Sequence, residues 1–493
     1  MKGASIVTES VFSSKHWPKV FWGGVLALVF STSIRAELEV KELEQRSAAE
    51  GDTLFTKLSS ERTGIDVVNS YDDPRMWGDR YQEMVFGTIG TGVAVGDYDN
   101  DGRVDVFFAV KTGGSKLYRN LGDWRFEDVT KSSGLLDDGE AWSDRLLGLF
   151  SDEERVAVEE VWDQGAVFAD VNNDGWLDLY VTCFDAPNRL YVNQGDGTFV
   201  NEAEKRGLAI RDASGVAAFA DYDNDGWLDV YVQTNMLNAI EGPEGRKDYL
   251  LRNEGDGFFV DASATAGIGG VTSGHSVSWW DYDDDGWLDL YVANDYSMPD
   301  NLYRNNGDGT FEDVLRQLVP RMPYYSMGSD YGDVNGDGTM DFLVADMAPT
   351  SHEKDQRGMA VSRAREMANR IERQAPQQMH NTLYLNTGLE KMLEVAFLAG
   401  VARTDWTWSV RFEDLDCDGL IDLHVTNGMV REYHNVDILD RIMGAESRMA
   451  QRRVMRSSPV LEESNLAFRN LGDLRFERVE RDWGLDEVGV SFG

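Results

Sequence analysis

Cysteine is nearly absent from this chain of 493 residues. Only Cys183 and Cys417 occur, too few for a disulfide framework, and sequence alone leaves their pairing open. Histidine is scarce: there are six, and His275, His352, His380, His424 and His434 lack the spacing of a zinc site. Basic charge is in deficit. Lys and Arg total 47 against 87 Asp and Glu, a formal net charge of −40, which argues against nucleic-acid binding. No nucleophile elbow and no phosphate-binding glycine loop is present, so no catalytic motif supports an enzyme. The apolar run at residues 20–30 is shorter than the roughly 20 residues of a membrane-spanning helix.

What the chain has in excess is aspartate, in one arrangement. Asp-x-Asp/Asn-x-Asp-Gly-x-apolar-Asp occurs six times. Positions 1, 3, 5, 7 and 9 are Asp97, Asp99, Asp101, Arg103 and Asp105 in the first loop. They are Asp170, Asn172, Asp174, Trp176 and Asp178 in the second, and Asp221, Asp223, Asp225, Trp227 and Asp229 in the third. The fourth has Asp281, Asp283, Asp285, Trp287 and Asp289, the fifth Asp333, Asn335, Asp337, Thr339 and Asp341, and the sixth Asp414, Asp416, Asp418, Leu420 and Asp422.

Calcium is a hard cation that takes six to eight oxygens at about 2.3–2.6 Å. Side chains at positions 1, 3, 5 and 9 and the carbonyl of position 7 supply oxygens only. The alternative is an acidic turn without metal, in which about four crowded carboxylates would repel one another. Oxygen ligands without a His or Cys cluster select calcium over zinc. About six structural calcium sites follow, with the Asn172 and Asn335 loops expected to be weaker for lack of one charge. Position 6 is always glycine and position 8 always apolar (Val104, Leu177, Leu228, Leu288, Met340, Ile421), as a tight turn anchored to a core requires.

Each loop sits in a longer unit. Alternating β-branched and aromatic residues mark a strand before it and a strand after it. A third strand carries Leu-Tyr-x-Asn, as at Leu117, Leu190, Leu302 and Leu383, with looser copies at Leu250 and Ala467. A Gly-rich hairpin turn leads to a fourth strand opening at Phe126, Phe199, Phe259, Phe311 or Phe476. Four strands repeated at this interval predict an all-β propeller, in preference to a sandwich or solenoid. Trp176, Trp227 and Trp287 are expected to pack between blades.

These loops, with Phe-x-x-Val-x-x-x-x-Gly and Leu-Tyr-Arg-Asn-x-Gly-Asp-Gly around them, resemble the FG-GAP/VCBS repeats of integrin-α-type propellers. Asn294-Asp-Tyr296 and Thr404-Asp-Trp406-Thr-Trp408 bring the resemblance closer to bacterial proteins of the cartilage-acidic-protein, ASPIC/UnbV-associated group. It covers about residues 50–493. It implies a seven-bladed, calcium-binding, exported propeller with no established enzymatic activity. The ASPIC/UnbV module that often follows such repeats is not visible.

The margins and insertions complete the reading. Residues 1–36, with Lys15 and Lys19 before the apolar run and Ala36 at a cleavage point, resemble a secretory signal. An uncleaved anchor is the alternative. The propeller spans residues 50–493, its last blade incomplete, with a fourth strand expected at residues 55–58 and a first strand at residues 489–493. Helices are expected at residues 151–162, 351–379 and 436–456, the latter two rich in arginine. The chain is therefore read as a secreted, periplasmic or cell-surface binding or adhesion scaffold, its partner a protein or carbohydrate. Membrane contact arises only if the N-terminal segment is retained. The alternatives are an envelope enzyme with its active site in the channel, or a structural subunit of an envelope complex.

Overall fold

The repeated Asp-Leu-Tyr-Val segments form strands because β-branched and aromatic side chains suit a pleated surface buried on both faces. In the computed structural model these segments and their variants are the second strands of six four-stranded antiparallel units, with Met347–Ala348 added as a fifth strand beside the first strand of the last. Blade 1 comprises Val93–Gly96, Asp105–Phe108, Lys116–Gly122 and Arg125–Asp128. Blade 2 comprises Trp162–Ala169, Asp178–Pro187, Arg189–Asn193 and Phe199–Asn201, and blade 3 Arg211–Ala220, Asp229–Thr234, Tyr249–Asn253 and Phe259–Asp261. Blade 4 comprises Gly274–Trp280, Asp289–Asn294, Asn301–Asn305 and Phe311–Asp313. Blade 5 comprises Ser329–Gly332, Asp341–Val344, Thr382–Leu385 and Leu393–Glu394. Blade 6 comprises Asp405–Glu413, Asp422–Asn427, Leu466–Asn470 and Phe476–Arg478. The structure describes residues 46–47, 52–69, 71, 73–78, 80–86, 90–135, 161–237, 246–295, 298–358, 375–432 and 434–492. These lie in the unit Glu44–Gly493; the unit Met1–Leu43, with the expected leader, is outside the described residues.

Five hydrophobic clusters each join two neighbouring blades. Phe107 and Leu117 of blade 1 share one with Leu179 and Val181 of blade 2, and Leu343 and Leu383 of blade 5 share another with Leu423 and Phe468 of blade 6. The second strands are buried on both faces for this reason: Leu290, Tyr291, Val292 and Ala293 are all fully buried. Burying one such side chain is worth about 1.5–3 kcal/mol. The first strands stand against one another around the centre. A Cβ on Gly165 would lie 2.7 Å from the carbonyl oxygen of Gly215, and one on Gly328 2.7 Å from that of Trp408. Sheets packed blade to blade around an axis are an all-β propeller. Blades 2 and 3 are also hydrogen-bonded, because the long second strand of blade 2 pairs Pro187 with Arg211.

A further apolar cluster draws together Met76, Tyr81 and Met84 near the N-terminus, Trp162 and Phe184 of blade 2, Tyr324 and Met327, Trp406, Met429, Ile438 and Ile442. Its helical parts are Pro74–Trp77, Tyr81–Phe86 and Val436–Met443. Two helices, Val436–Met443 and Arg448–Arg456, occupy the expected helical insert. The insert at residues 351–379 differs from expectation. It opens with the helix His352–Gly358 but ends in a strand at Gln377–Gln378, and residues 359–374 lie outside the described residues. Trp162 begins a strand instead of ending a helix, since Trp162 pairs with Phe184; residues 136–160 lie outside the described residues.

No strand forms at residues 55–58. Phe55 instead donates its N–H to the carbonyl of Trp483 (2.8 Å), and the helix Ser60–Thr63 follows, closed by Gly64. A Cβ on Gly484 would meet the Phe55 carbonyl oxygen at 2.6 Å, and one on Gly64 that of Phe126 at 2.5 Å. Between blades the same approach recurs, with Gly134 on Phe199 (3.1 Å) and Gly267 on Phe311 (3.0 Å). Phe55 thus stands to blade 6 as each fourth-strand phenylalanine stands to the blade before it. At the other margin, Val488–Gly489 pairs with Glu463–Ser464, and the Phe492 ring lies 5.1 Å from that of Trp408.

Close approach of the first strands predicts that Gly165→Ala destabilises the protein by about 1–3 kcal/mol. Gly269→Ala, where a Cβ meets nothing within 4 Å, should leave the denaturant midpoint unchanged. Equal midpoints for the two variants would contradict the packing described.

Candidate metal centres

Every acidic loop joins the first and second strands of a blade and folds through its own carboxylates. In the fourth, Asp281 accepts from the N–H groups of Asp285 (3.0 Å) and Gly286 (2.8 Å), and Asp285 accepts from that of Trp287 (3.0 Å). The other five repeat these bonds. Position 6 has φ between 86° and 91°, and a Cβ there would meet nothing within 4 Å. Glycine is needed for its dihedral, not for space. Position 4 is also left-handed, at Asn100, Asn173, Asn224, Asp284 and Cys417 with φ of 55–58° and at Gly336 with 72°. The taste of Asn and Asp for that region explains most of these residues, a signal the sequence reading passed over. Cys417 and the buried Cys183 are not joined in a disulfide.

Position 9 is the buried post of each loop. Asp105, Asp178, Asp229, Asp289, Asp341 and Asp422 are at most 1% exposed. One carboxylate oxygen accepts the N–H of position 2, and the other accepts the N–H of the third-strand asparagine. In blade 4 these bonds come from Tyr282 (3.0 Å) and Asn305 (2.8 Å). The asparagine amide then donates in two directions. Asn305 reaches Leu288 O in its own loop and Tyr222 O in the preceding one, and Asn193, Asn253 and Asn470 make the same pair of bonds. This asparagine staples consecutive loops together, a role that sequence showed only as a repeated letter.

The structure brings positions 1, 3 and 5 together in three loops, as Asp97/Asp99/Asp101, Asp221/Asp223/Asp225 and Asp281/Asp283/Asp285, and Asp414/Asp416/Asp422 in the sixth. The oxygens in each group lie within 4.8 Å of one another. The Asp170 and Asp333 loops hold only three carboxylates each, and among the described residues they form no such group. One oxygen of Asp99 and one of Asp223 are buried and accept no hydrogen bond. A buried anionic oxygen without a donor is costly, and a hard cation would satisfy it, so the donor set fits calcium. Position 7 varies in what its side chain does: Arg103 and Thr339 contact the position-5 carboxylates Asp101 and Asp337, whereas Trp176 and Trp287 turn to the hairpin. A Cβ on Gly195 would lie 3.1 Å from the Trp176 ring, and one on Gly307 2.7 Å from that of Trp287. These tryptophans therefore lie against the hairpin turn of their own blade, and Trp176 also lines a pocket with Tyr98, Asp99 and Arg119 of blade 1, so its ring faces the neighbouring blade as well.

Carboxylates remote from the loops have partners in the chain. Asp300 accepts from the Tyr291 hydroxyl, Asn294 N–H (2.8 Å) and the Ser326 hydroxyl (2.8 Å). Asp346 accepts from Tyr324 and Tyr325 N–H (2.7 and 3.2 Å), fixing the chain that carries two cluster tyrosines.

Burial pushes the position-9 carboxyls up, to about 7 for Asp178, Asp229, Asp289 and Asp341 and to about 6 for Asp105 and Asp422; their backbone hydrogen bonds oppose the shift. A carboxyl raised in the folded state binds more protons folded than unfolded. Its stabilisation is complete below the unfolded value and is lost as pH rises through the folded one. Metal requires the ionised form. The gain in Tm from added calcium should therefore grow as pH rises from about 4 to about 7. A gain independent of pH across that window, measured by scanning calorimetry, would contradict the assignment of position 9.

A family model of FG-GAP-like repeats matches residues 170–232, from the second loop through the third, and residues 281–344, from the fourth through the fifth. Cartilage acidic protein 1 of Xenopus tropicalis is 27% identical over 249 residues, covering 48% of this chain and 34% of that protein. The human protein is 25% identical over 246 residues, covering 48% and 32%. The chain thus spans about a third of the length of the curated relatives it matches. Among solved structures, an Agrocybe aegerita lectin described as recognising non-reducing terminal N-acetylglucosamine aligns with 81% of this chain and 84% of its own, at 14% identity and a TM-score of 0.41. The Dos1 propeller aligns with 70% and 67%, at 11% identity and a TM-score of 0.35. With its repeated loops, its four-stranded blades and these sequence matches, the chain is an FG-GAP repeat protein, close to the cartilage acidic protein family.

Proposed function

We propose that this protein is an exported, calcium-stabilised propeller that acts as a binding or adhesion scaffold. The observation that carries the calcium reading is the loop itself. Carboxylates converge at positions 1, 3 and 5, a position-3 oxygen is buried without a donor, and a buried position-9 carboxylate is tied to the blade. Positions 1, 3, 5 and 9 would hold the ion with the position-7 carbonyl, at about six sites. The bound cation would neutralise the loop, and the chain's own groups do the rest: asparagine amides join loop to loop, and the first strands hold the ring. Calcium in this reading is structural.

Export rests on the leader-like residues 1–36 and on the suitability of such loops to calcium-rich surroundings. A seven-bladed reading is supported by the N-terminal segment at Phe55 and the C-terminal segment at Phe492, both of which adjoin blade 6. The scaffold role rests on the absence of catalytic motifs and on the engagement of Asp300 and Asp346 by structural donors. Its ligand, a protein or a carbohydrate, would bind loops on one propeller face.

Ligand that binds only the folded state raises stability by mass action, by about 2.7 kcal/mol at a hundredfold excess over Kd. Thermal melting with calcium against chelator should therefore show a large rise in Tm, with several equivalents of calcium bound by elemental analysis. An unchanged Tm with no metal retained would sink the calcium reading.

A further inference from the structure

The loops differ at position 3, and the third strand differs with them. Where position 3 is Asp (Asp99, Asp223, Asp283, Asp416), the residue before the stapling asparagine is arginine: Arg119, Arg252, Arg304 and Arg469. Where it is Asn (Asn172, Asn335), that residue is Val192 or Leu385. All six repeats obey the rule.

The contacts explain the pairing. Arg119 lies 2.6 Å from Asp99 and 3.2 Å from Asp101, and Arg469 lies 2.9 Å from both Asp416 and Asp418. Arg252 is looser, 3.7 Å from Asp223. Arg304 pairs with Glu312 at 3.3 Å, yet its charge still acts on Asp283. In the loops without arginine the Asn amide takes over at position 5. Asn172 donates to Asp174 (2.9 Å) and Asn335 to Asp337 (3.0 Å). These are the oxygens that the guanidinium groups of Arg119 and Arg469 occupy on Asp101 and Asp418.

We propose that the third-strand arginine is a built-in counterion for the position-3 carboxylate, which sets five of the six sites to a common charge and holds the loop together before metal arrives. Four ligand carboxylates offset by one guanidinium, or three with none, leave the same net charge of about −3. Arg103 adds a further positive charge in the first loop only, on Asp101. The Asn172 and Asn335 loops are then not weakened sites, contrary to what their ligands alone suggest. This inference rests on the calcium reading and concerns which residues tune it.

The third loop gives the cleanest test, because Trp227 at its position 7 can sensitise terbium luminescence. In full-length protein carrying Trp176→Phe and Trp287→Phe, the part of the emission that Trp227→Phe removes reports that loop, and calcium displaces the terbium. One unit charge about 6 Å from a divalent ion in water is worth about 1.4 kcal/mol, about tenfold in Kd. Asp223→Asn should weaken calcium about tenfold, and Arg252→Val should tighten it by a similar factor while lowering Tm in chelator. The double variant, which copies blade 2, should return to within about threefold of the parent, and Arg252→Lys should bind like the parent. The proposal is overturned if Arg252→Val changes neither affinity nor chelator Tm, or if the double variant binds as weakly as Asp223→Asn. A parent without calcium-displaceable emission overturns the calcium reading itself and takes this inference with it.

Discussion

The structure depends on a buried aspartate at the ninth position of each loop. Such a carboxylate, sequestered from water, is costly unless donors surround it. Two backbone N–H groups meet it, one from within the loop and one from the third strand. The aspartate therefore fixes the loop to its own blade. The asparagine whose N–H it accepts then turns its amide to the loop of the blade before. A single polar post, repeated six times, sets both the shape of the turn and the stacking of one blade on the next.

Around these posts the apolar packing has a matching logic. The blades do not own separate cores; they share one at each interface, as Leu117 and Leu179 do between the first two. A strand in the middle of such a stack is covered on both faces. That is why the second strands are apolar at consecutive positions, beyond the alternation that a half-buried strand needs. The first strands approach so closely that glycine or serine is required there, as at Gly165 and in the contact of Ser276 with Ser329 (2.9 Å). The loops cluster acidic charge, and the charge is managed locally, by arginine beside some loops and by an asparagine amide within others.

Local periodic features were legible in the sequence. The loops, their glycine turns, the four strands per unit and the propeller class all follow from short-range pattern, because a repeat prints its constraints many times. Features that depend on distant residues were not. The contact of Trp287 with the hairpin turn at Gly307 is one of these, since it joins a loop to a turn about 20 positions later. Trp162 reads as the end of a helix until Phe184 is seen opposite it. Phe55 carries the signature of a fourth strand, yet among the described residues no strand pairs with it, and its N–H donates to the carbonyl of Trp483.

What the sequence by itself determined is the loop chemistry, since ligand positions a few residues apart are carried by a turn that needs no distant partner. The choice of glycine at position 6 and oxygen donors at alternate positions belongs to that level. Tertiary structure alone decided what each loop is tied to and how its charge is met. The stapling asparagine bonds to a residue about 80 positions earlier in the chain, as Asn305 does to Tyr222, and Arg469 meets a loop about 50 positions before it. Such partners are joined by strand pairing and blade stacking, and no local pattern records them.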